Sequence, residues 1–180
     1  VADRLALLDN ELPVEFIDTD PDRRLDRPAL MAGLREVADL INATTWTAAQ
    51  RAAFLSMRKI VFFLGSAEVA GYELQRPGCD EAAAVFYWEV GEFLANTDAG
   101  VRANILFHDC WHVVQFKALG FAADEDERVA REVDALERQV EVAEAMNCSP
   151  QDIQFLKDFA ADQQAIKDRL AFGVENMHDA

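Results

Sequence analysis

The segment from Thr97 to Gly120 constrains this chain more than any other, because it spans several helical turns and is apolar on nearly every side. Val101, Ile105, Leu106, Phe107, Trp111, Val113, Val114, Phe116 and Leu119 leave no broad face for water, so a helix here has to be enclosed by other elements. Thr97 or Asp98 can cap its start, and Gly120 marks its end. The chain has the material to enclose it. Its 180 residues are 51% hydrophobic and 28% charged, which predicts a single domain over 1–180 with an ordinary core and gives no compositional case for disorder.

The flanking sequence supplies the enclosing elements. Asp26 before Arg27-Pro28 predicts a helix from about Pro28 to Asn42 with Leu30, Leu34, Val37 and Ile41 inward. Thr47 and Gln50 form a capping box for a second helix, read as far as Leu64 with Phe54, Met57, Val61 and Leu64 inward and Gly65 as its stop. Between Gln75 and Asn96 the helical period fails. Arg76-Pro77-Gly78 signals a turn, Ala82 to Glu89 reads as a strand, and Val90-Gly91 leads into Glu92 to Ala95 as the second arm of a small hairpin. The acidic run Asp124 to Glu127 opens a helix to about Met146, with Val129, Val133, Leu136, Val140 and Ala143 as its buried stripe. Ser149-Pro150 opens the last helix, which carries Ile153, Leu156, Phe159, Ile166 and Leu170 and fades at Gly173. The predicted class is α+β, predominantly helical, with a small hairpin beside the buried helix.

Charge and cysteines exclude several function classes. There are 33 acidic against 17 basic side chains, a formal charge of -16, which disfavours nucleic acid and anionic lipid as partners and leaves basic peptides or proteins open. Cys79, Cys110 and Cys148 form no CxxC pair, so neither a disulfide framework nor a thiolate zinc knuckle is expected, and a reducing compartment fits best. The longest strongly apolar run, Ile60 to Leu64, is far shorter than the roughly 20 residues of a membrane span, and no basic-then-apolar signal pattern opens the sequence. These readings predict a cytoplasmic protein with no membrane partner.

Within the buried helix, His108 and His112 are two of only three histidines, and their spacing puts both rings on one face a turn apart, where both can ligate one metal ion. Asn104 and Gln115 extend that polar side. Buried polar groups need partners, and an ion would serve both imidazoles. The next helix offers Glu132 as a third ligand, with Asp134 and Glu137 as substitutes or orienting groups. A blander alternative has two imidazoles hydrogen-bonded in a helical core, with Glu132 in solvent beside Arg128. Asp109 reads either as a catalytic carboxylate or as a partner for a ligand or an arginine, and Cys110 reads as packing. Tyr72, Tyr87 and Arg131 carry the chemistry to stabilise an oxyanion, and His178 reads as a tail residue. Di-iron carboxylate bundles are disfavoured, because neither histidine has a glutamate three residues before it.

From about Ala82 to Met146 the chain resembles the zincin metallopeptidases, and within them the gluzincins, in which HExxH on one helix is completed by a glutamate on the next. His108 and His112 fall on the two zinc-binding histidines, Glu132 on the glutamate ligand, and Arg131-Glu132-Val133-Asp134-Ala135 is similar to the RExxA segment of small predicted metallopeptidases. One position differs. Asp109 stands where the family has its general-base glutamate, so the motif is HDxxH, one methylene shorter. The resemblance implies zinc or another divalent transition metal as cofactor, Asp109 as the catalytic carboxylate, a peptide or protein substrate, and the strand near Phe86 to Glu89 as the rail for an extended substrate. The implied activity is zinc-dependent peptide hydrolysis. The alternative is a catalytically degenerate zincin-like domain that binds metal or a protein partner.

Overall fold

In the computed structural model, which describes residues 3–17, 25–69, 72–74 and 77–174, the chain opens with a hairpin. β1 (Asp3–Leu7) and β2 (Asn10–Ile17) pair antiparallel, and the strand period of two sends Leu5, Leu7, Leu12 and Val14 into the core. α1 (Arg27–Ala43) follows. The Asp26 carboxylate accepts from Ala29 N, proline occupies the first turn, and Leu30, Leu34, Val37 and Ile41 are buried as their spacing predicts.

α2 (Ala48–Phe54) starts on the expected capping box, with Thr47 Oγ1 accepting from Gln50 N and Gln50 Oε1 from Thr47 N, but it is much shorter than expected. The residues read as its continuation form β3 (Lys59–Phe63). The reason is physical. Ile60, Val61, Phe62 and Phe63 are β-branched or aromatic and apolar on both faces, which suits a central strand flanked by two parallel neighbours. β4 (Ala67–Val69) and β5 (Tyr72–Leu74) make a separate two-stranded ribbon.

The expected hairpin exists with a different partner. β6 (Gly78–Asp80) pairs antiparallel with β7 (Val85–Glu89) across a turn in which Asp80 Oδ1 accepts from Ala83 N at 2.8 Å. Glu92 to Ala95, read as a strand, belongs to α3 (Val90–Ala95), because Glu89 Oε2 accepts from Glu92 N at 2.7 Å and caps a helix there. Then come α4 (Ala99–Leu119), α5 (Glu125–Ala145), α6 (Pro150–Ala161) and α7 (Gln163–Val174). The architecture is therefore mixed α/β and mostly helical, with a five-stranded sheet ordered β1-β2-β3-β7-β6 in place of a lone hairpin. This order also places β7 between β3 and β6, with Val85, Phe86 and Tyr87 paired on both sides. Among the described residues the edge strand on that side is β6.

One sheet face carries Ile60, Phe62, Phe86 and Trp88 against the helices. Phe62 lies 6.0 Å from Trp88 in a stacked pair and 5.0 Å from Phe93 edge-on. On the opposite face Phe63 and Leu74 pack with Ile17 and Tyr87. α4 is enclosed as its composition requires, by α1, α2, α5 and strands β6 and β7. Its crossing with α1 is close at Gly33, where a Cβ would sit 2.7 Å from Arg102 Nη1. The Arg102 guanidinium donates to Phe93 O from Nε at 3.1 Å and Nη2 at 2.8 Å, which ties α4 to the end of α3. α5 is sandwiched between α4 and the pair α6 and α7, with Val129 and Leu136 packing against Ile166 on the outer side. No helix among the described residues is long and apolar enough to cross a membrane.

Phe62→Ala should lower the unfolding free energy by about 3–5 kcal/mol, since it empties a fully buried aromatic site. Phe155→Ala, at a position 67% exposed, should change it by no more than about 0.5 kcal/mol. Denaturant unfolding of the two variants checks this, and equal losses would contradict the described core.

Candidate metal centre

The helical repeat of α4 places His108 and His112 side by side, with ring centroids 4.6 Å apart and planes at 81°. Their Nε2 atoms lie 3.0 Å from each other. α5 brings Glu132 into the gap, with Oε1 3.2 Å from His108 Nε2 and Oε2 3.0 Å from His112 Nε2. The three side chains are only 10%, 15% and 8% exposed. Among the described residues they form a His-His-Glu group able to hold a metal ion. Glu132 therefore faces inward and not into solvent beside Arg128.

The far side of each ring fixes which nitrogen carries the proton. Gln115 Nε2 donates to Arg131 O and to Asp134 Oδ2, both at 2.9 Å, so its amide can point only one way. That leaves Gln115 Oε1 facing His112 Nδ1 at 2.8 Å, and the ring nitrogen must donate. His112 Nε2 then carries a lone pair. Gln139 Oε1 lies 3.1 Å from His108 Nδ1, and with that oxygen as acceptor the ring takes the same tautomer. Two lone pairs and a carboxylate converge on one point, and such a convergence is stable only around a positive charge.

The group fits a divalent ion in size and donor chemistry. Tetrahedral ligands about 2.0–2.1 Å from zinc would stand roughly 3.3 Å from one another. The observed separations of 3.0 to 3.2 Å differ from that by a few tenths of an ångström. Imidazole and carboxylate donors suit zinc and neighbouring transition metals, and no thiol joins the set. In the metal-free chain a proton supplies the charge. Burial alone would lower the His112 pKa, but the hydrogen bond and charge of Glu132 outweigh it and push it up to about 9. Burial likewise works to raise Glu132, while the His108 and His112 imidazoles hold its carboxyl well below the usual range.

The other expected residues divide. Asp109 lies at the border of the group, where burial pushes its carboxyl up against the pull of both imidazoles. Asp134 is not a ligand. It accepts from Trp111 Nε1 at 2.7 Å as well as from Gln115, and so holds the glutamine that orients His112. Glu137 is exposed on α5. Arg131 is engaged by Gly120 O and Glu127, Tyr87 packs on the sheet face away from α4, and Cys110 is buried in the core. The Tyr72 side chain and His178 lie outside the described residues.

Two residues escaped the sequence reading. Gln139 lies seven positions after Glu132, two turns along one face of α5, and a buried polar residue at that spacing was the available signal. Glu81, just beyond β6, is half-buried, and burial pushes its carboxyl up while the charge of His112 pulls the other way, an influence that no local pattern announces. Comparison with known proteins gives no match, since no family model fits the chain and no curated protein or solved structure is significantly similar to it.

Gln115→Ala should weaken metal binding about 10–100-fold without unfolding the protein, as measured by competition with a chromogenic chelator. An unchanged affinity would show that the glutamine does not orient the ligand. The raised His112 pKa gives a second prediction for the metal-free chain. Protonated His112 contributes stability that is complete below its ordinary value of 6.5 and lost as pH rises through about 9. Denaturant unfolding in chelator should show wild type losing stability relative to His112→Gln between pH 6.5 and 9.5, and a constant difference would contradict the ion pair.

Proposed function

We propose that this protein is a zinc-dependent hydrolase of the zincin type that cleaves peptide bonds. The observation that carries the reading is the convergence of His108, His112 and Glu132, with both rings held in the ligating tautomer by side-chain amides. Three protein ligands are the number found in catalytic zinc sites, whereas structural sites have four. When bound, such an ion supplies Lewis acidity, polarising a carbonyl and lowering the pKa of a water to about 7.

The chain's own residues do the rest. Glu132 brings one negative charge to the ligand set, Gln115 and Gln139 keep both Nε2 lone pairs aimed at one point, and Asp109 stands beside the imidazoles to orient or deprotonate the attacking water. The packing of β6 against α4 supports an extended substrate laid along the open edge of β6, where main-chain hydrogen bonds can add a strand. The acidic surface favours basic peptides among such substrates.

A second reading has one observation in its favour. Asp109 is a methylene shorter than the glutamate that the resemblance calls for, and a displacement of about an ångström at a reacting group can cost on the order of a hundredfold in rate. On that reading the domain binds metal or a protein partner without turnover.

Protein purified without chelator and then loaded with zinc should carry about one equivalent, and His108→Ala should carry little. The zinc-loaded wild type should cleave members of a fluorogenic peptide library, basic ones most readily. Zinc without cleavage would favour the binding domain, and equal zinc in wild type and His108→Ala would overturn both readings.

A further inference from the structure

Asn104 belongs to the polar stripe of α4, and the candidate metal centre leaves it unused. It is 4% exposed, and its Oδ1 is sealed from solvent with no hydrogen-bond partner among the described residues. A buried oxygen without a donor opposes folding, so its retention calls for a partner. The other two sealed orphans are the Nε atoms of Arg131 and Arg138, whose guanidinium groups are engaged elsewhere, by Gly120 O and by Glu141.

The direction in which Asn104 points follows from its neighbours on the helix. At 3.6 residues per turn, Asn104, His108, Trp111 and Gln115 fall within about 60° of one another. The last three all reach α5: His108 meets Gln139, Trp111 meets Asp134, and Gln115 meets Arg131 O and Asp134. Asn104 therefore faces α5 as well. In these contacts lower numbers on α4 meet higher numbers on α5, so the two helices run antiparallel. One turn before His108, Asn104 is level with Gln139, Val142 and Ala143 of α5. Val142 and Ala143 are apolar and fully buried, which leaves Gln139 as the polar side chain at that level.

Gln139 has an unmet requirement of its own. Its Oε1 lies 3.1 Å from His108 Nδ1, and the ligating tautomer of His108 requires that oxygen, not the amide nitrogen, to face the ring. Gln115 keeps the matching orientation at His112 because its Nε2 donates to two acceptors. Gln139 makes no hydrogen bond besides the one to His108 among the described residues. Turned over, its amide would donate to His108 Nδ1 and move the ring proton to Nε2, where no ion could then bind.

We propose that Asn104 is the positioning residue for His108: its Oδ1 accepts from a water that itself accepts from Gln139 Nε2, and this bridge holds the glutamine in the orientation that leaves His108 Nε2 free for a metal ion. The Gln139 amide sits at the His108 ring, one helical turn from Asn104. Residues so spaced stand about 5–6 Å apart at Cβ, a gap that one bridging water spans and a direct hydrogen bond does not. The role rests on metal binding by His108, His112 and Glu132, and not on peptide cleavage.

The test uses the full chain, with zinc affinity read by competition with a chromogenic chelator and the ring N–H protons read by NMR on the zinc-loaded protein. Asn104→Leu keeps the volume and removes the acceptor. It should weaken zinc binding about tenfold. Exchange of the His108 Nδ1–H proton with water should speed up about tenfold, and that of His112 should not change. In a Gln139→Ala background the same substitution should cost no further affinity, because the two residues act in series. If Asn104→Leu does not fold, Asn104→Ala carries the same comparison. Zinc affinity and His108 exchange both within about twofold of wild type would overturn the role and leave the metal centre standing. An equal loss of affinity with and without Gln139 would also overturn it. A wild type that binds no zinc overturns the metal centre and this role together.

Discussion

Two imidazole nitrogens stand 3.0 Å apart on α4, and a carboxylate closes on both. Left without a cation, that arrangement is costly, because burying an uncompensated carboxylate in a low dielectric is among the most unfavourable things a fold can do. Much of the surrounding structure serves to hold it. Trp111 and Gln115 share Asp134 as acceptor, Gln115 grips His112, and Gln139 grips His108 from the neighbouring helix. α4 can supply this polar stripe only because the sheet, α1, α2 and α5 cover its remaining sides.

What was legible in the sequence follows from how local each signal is. The histidine spacing, the caps at Asp26, Thr47 and Ser149, and the all-round apolarity of α4 are written within a few residues of one another. Glu132 could be reached because it lies one helix away. The run Ile60 to Phe63 was misread, since a short apolar stretch fits a buried helix turn as well as a central strand, and only β2 and β7 on either side decide between them. Glu92 to Ala95 reads as a strand because no local pattern announces the contact that makes it helical, the carboxylate of Glu89 accepting from Glu92 N. The period of two in Leu5, Leu7, Leu12 and Val14 was present and unused. The stripe read along α5 was incomplete because that helix has two buried sides, one toward α6 and α7 and one carrying Glu132 and Gln139 toward α4.

The same logic explains why the candidate ligands are legible. Ligands must converge to within a few ångströms, which a helix repeat enforces. The candidate site is thus a ligand set carried on two helices. β6, the edge strand on that side among the described residues, packs against α4, the helix that carries both histidines.

The central claim is that one metal ion sits among His108, His112 and Glu132. X-ray absorption at the zinc edge of the loaded protein reads this directly. The account predicts two imidazole nitrogens and oxygen donors at about 2.0–2.1 Å with no sulfur. A sulfur shell near 2.3 Å, or a spectrum without imidazole scattering, would contradict it.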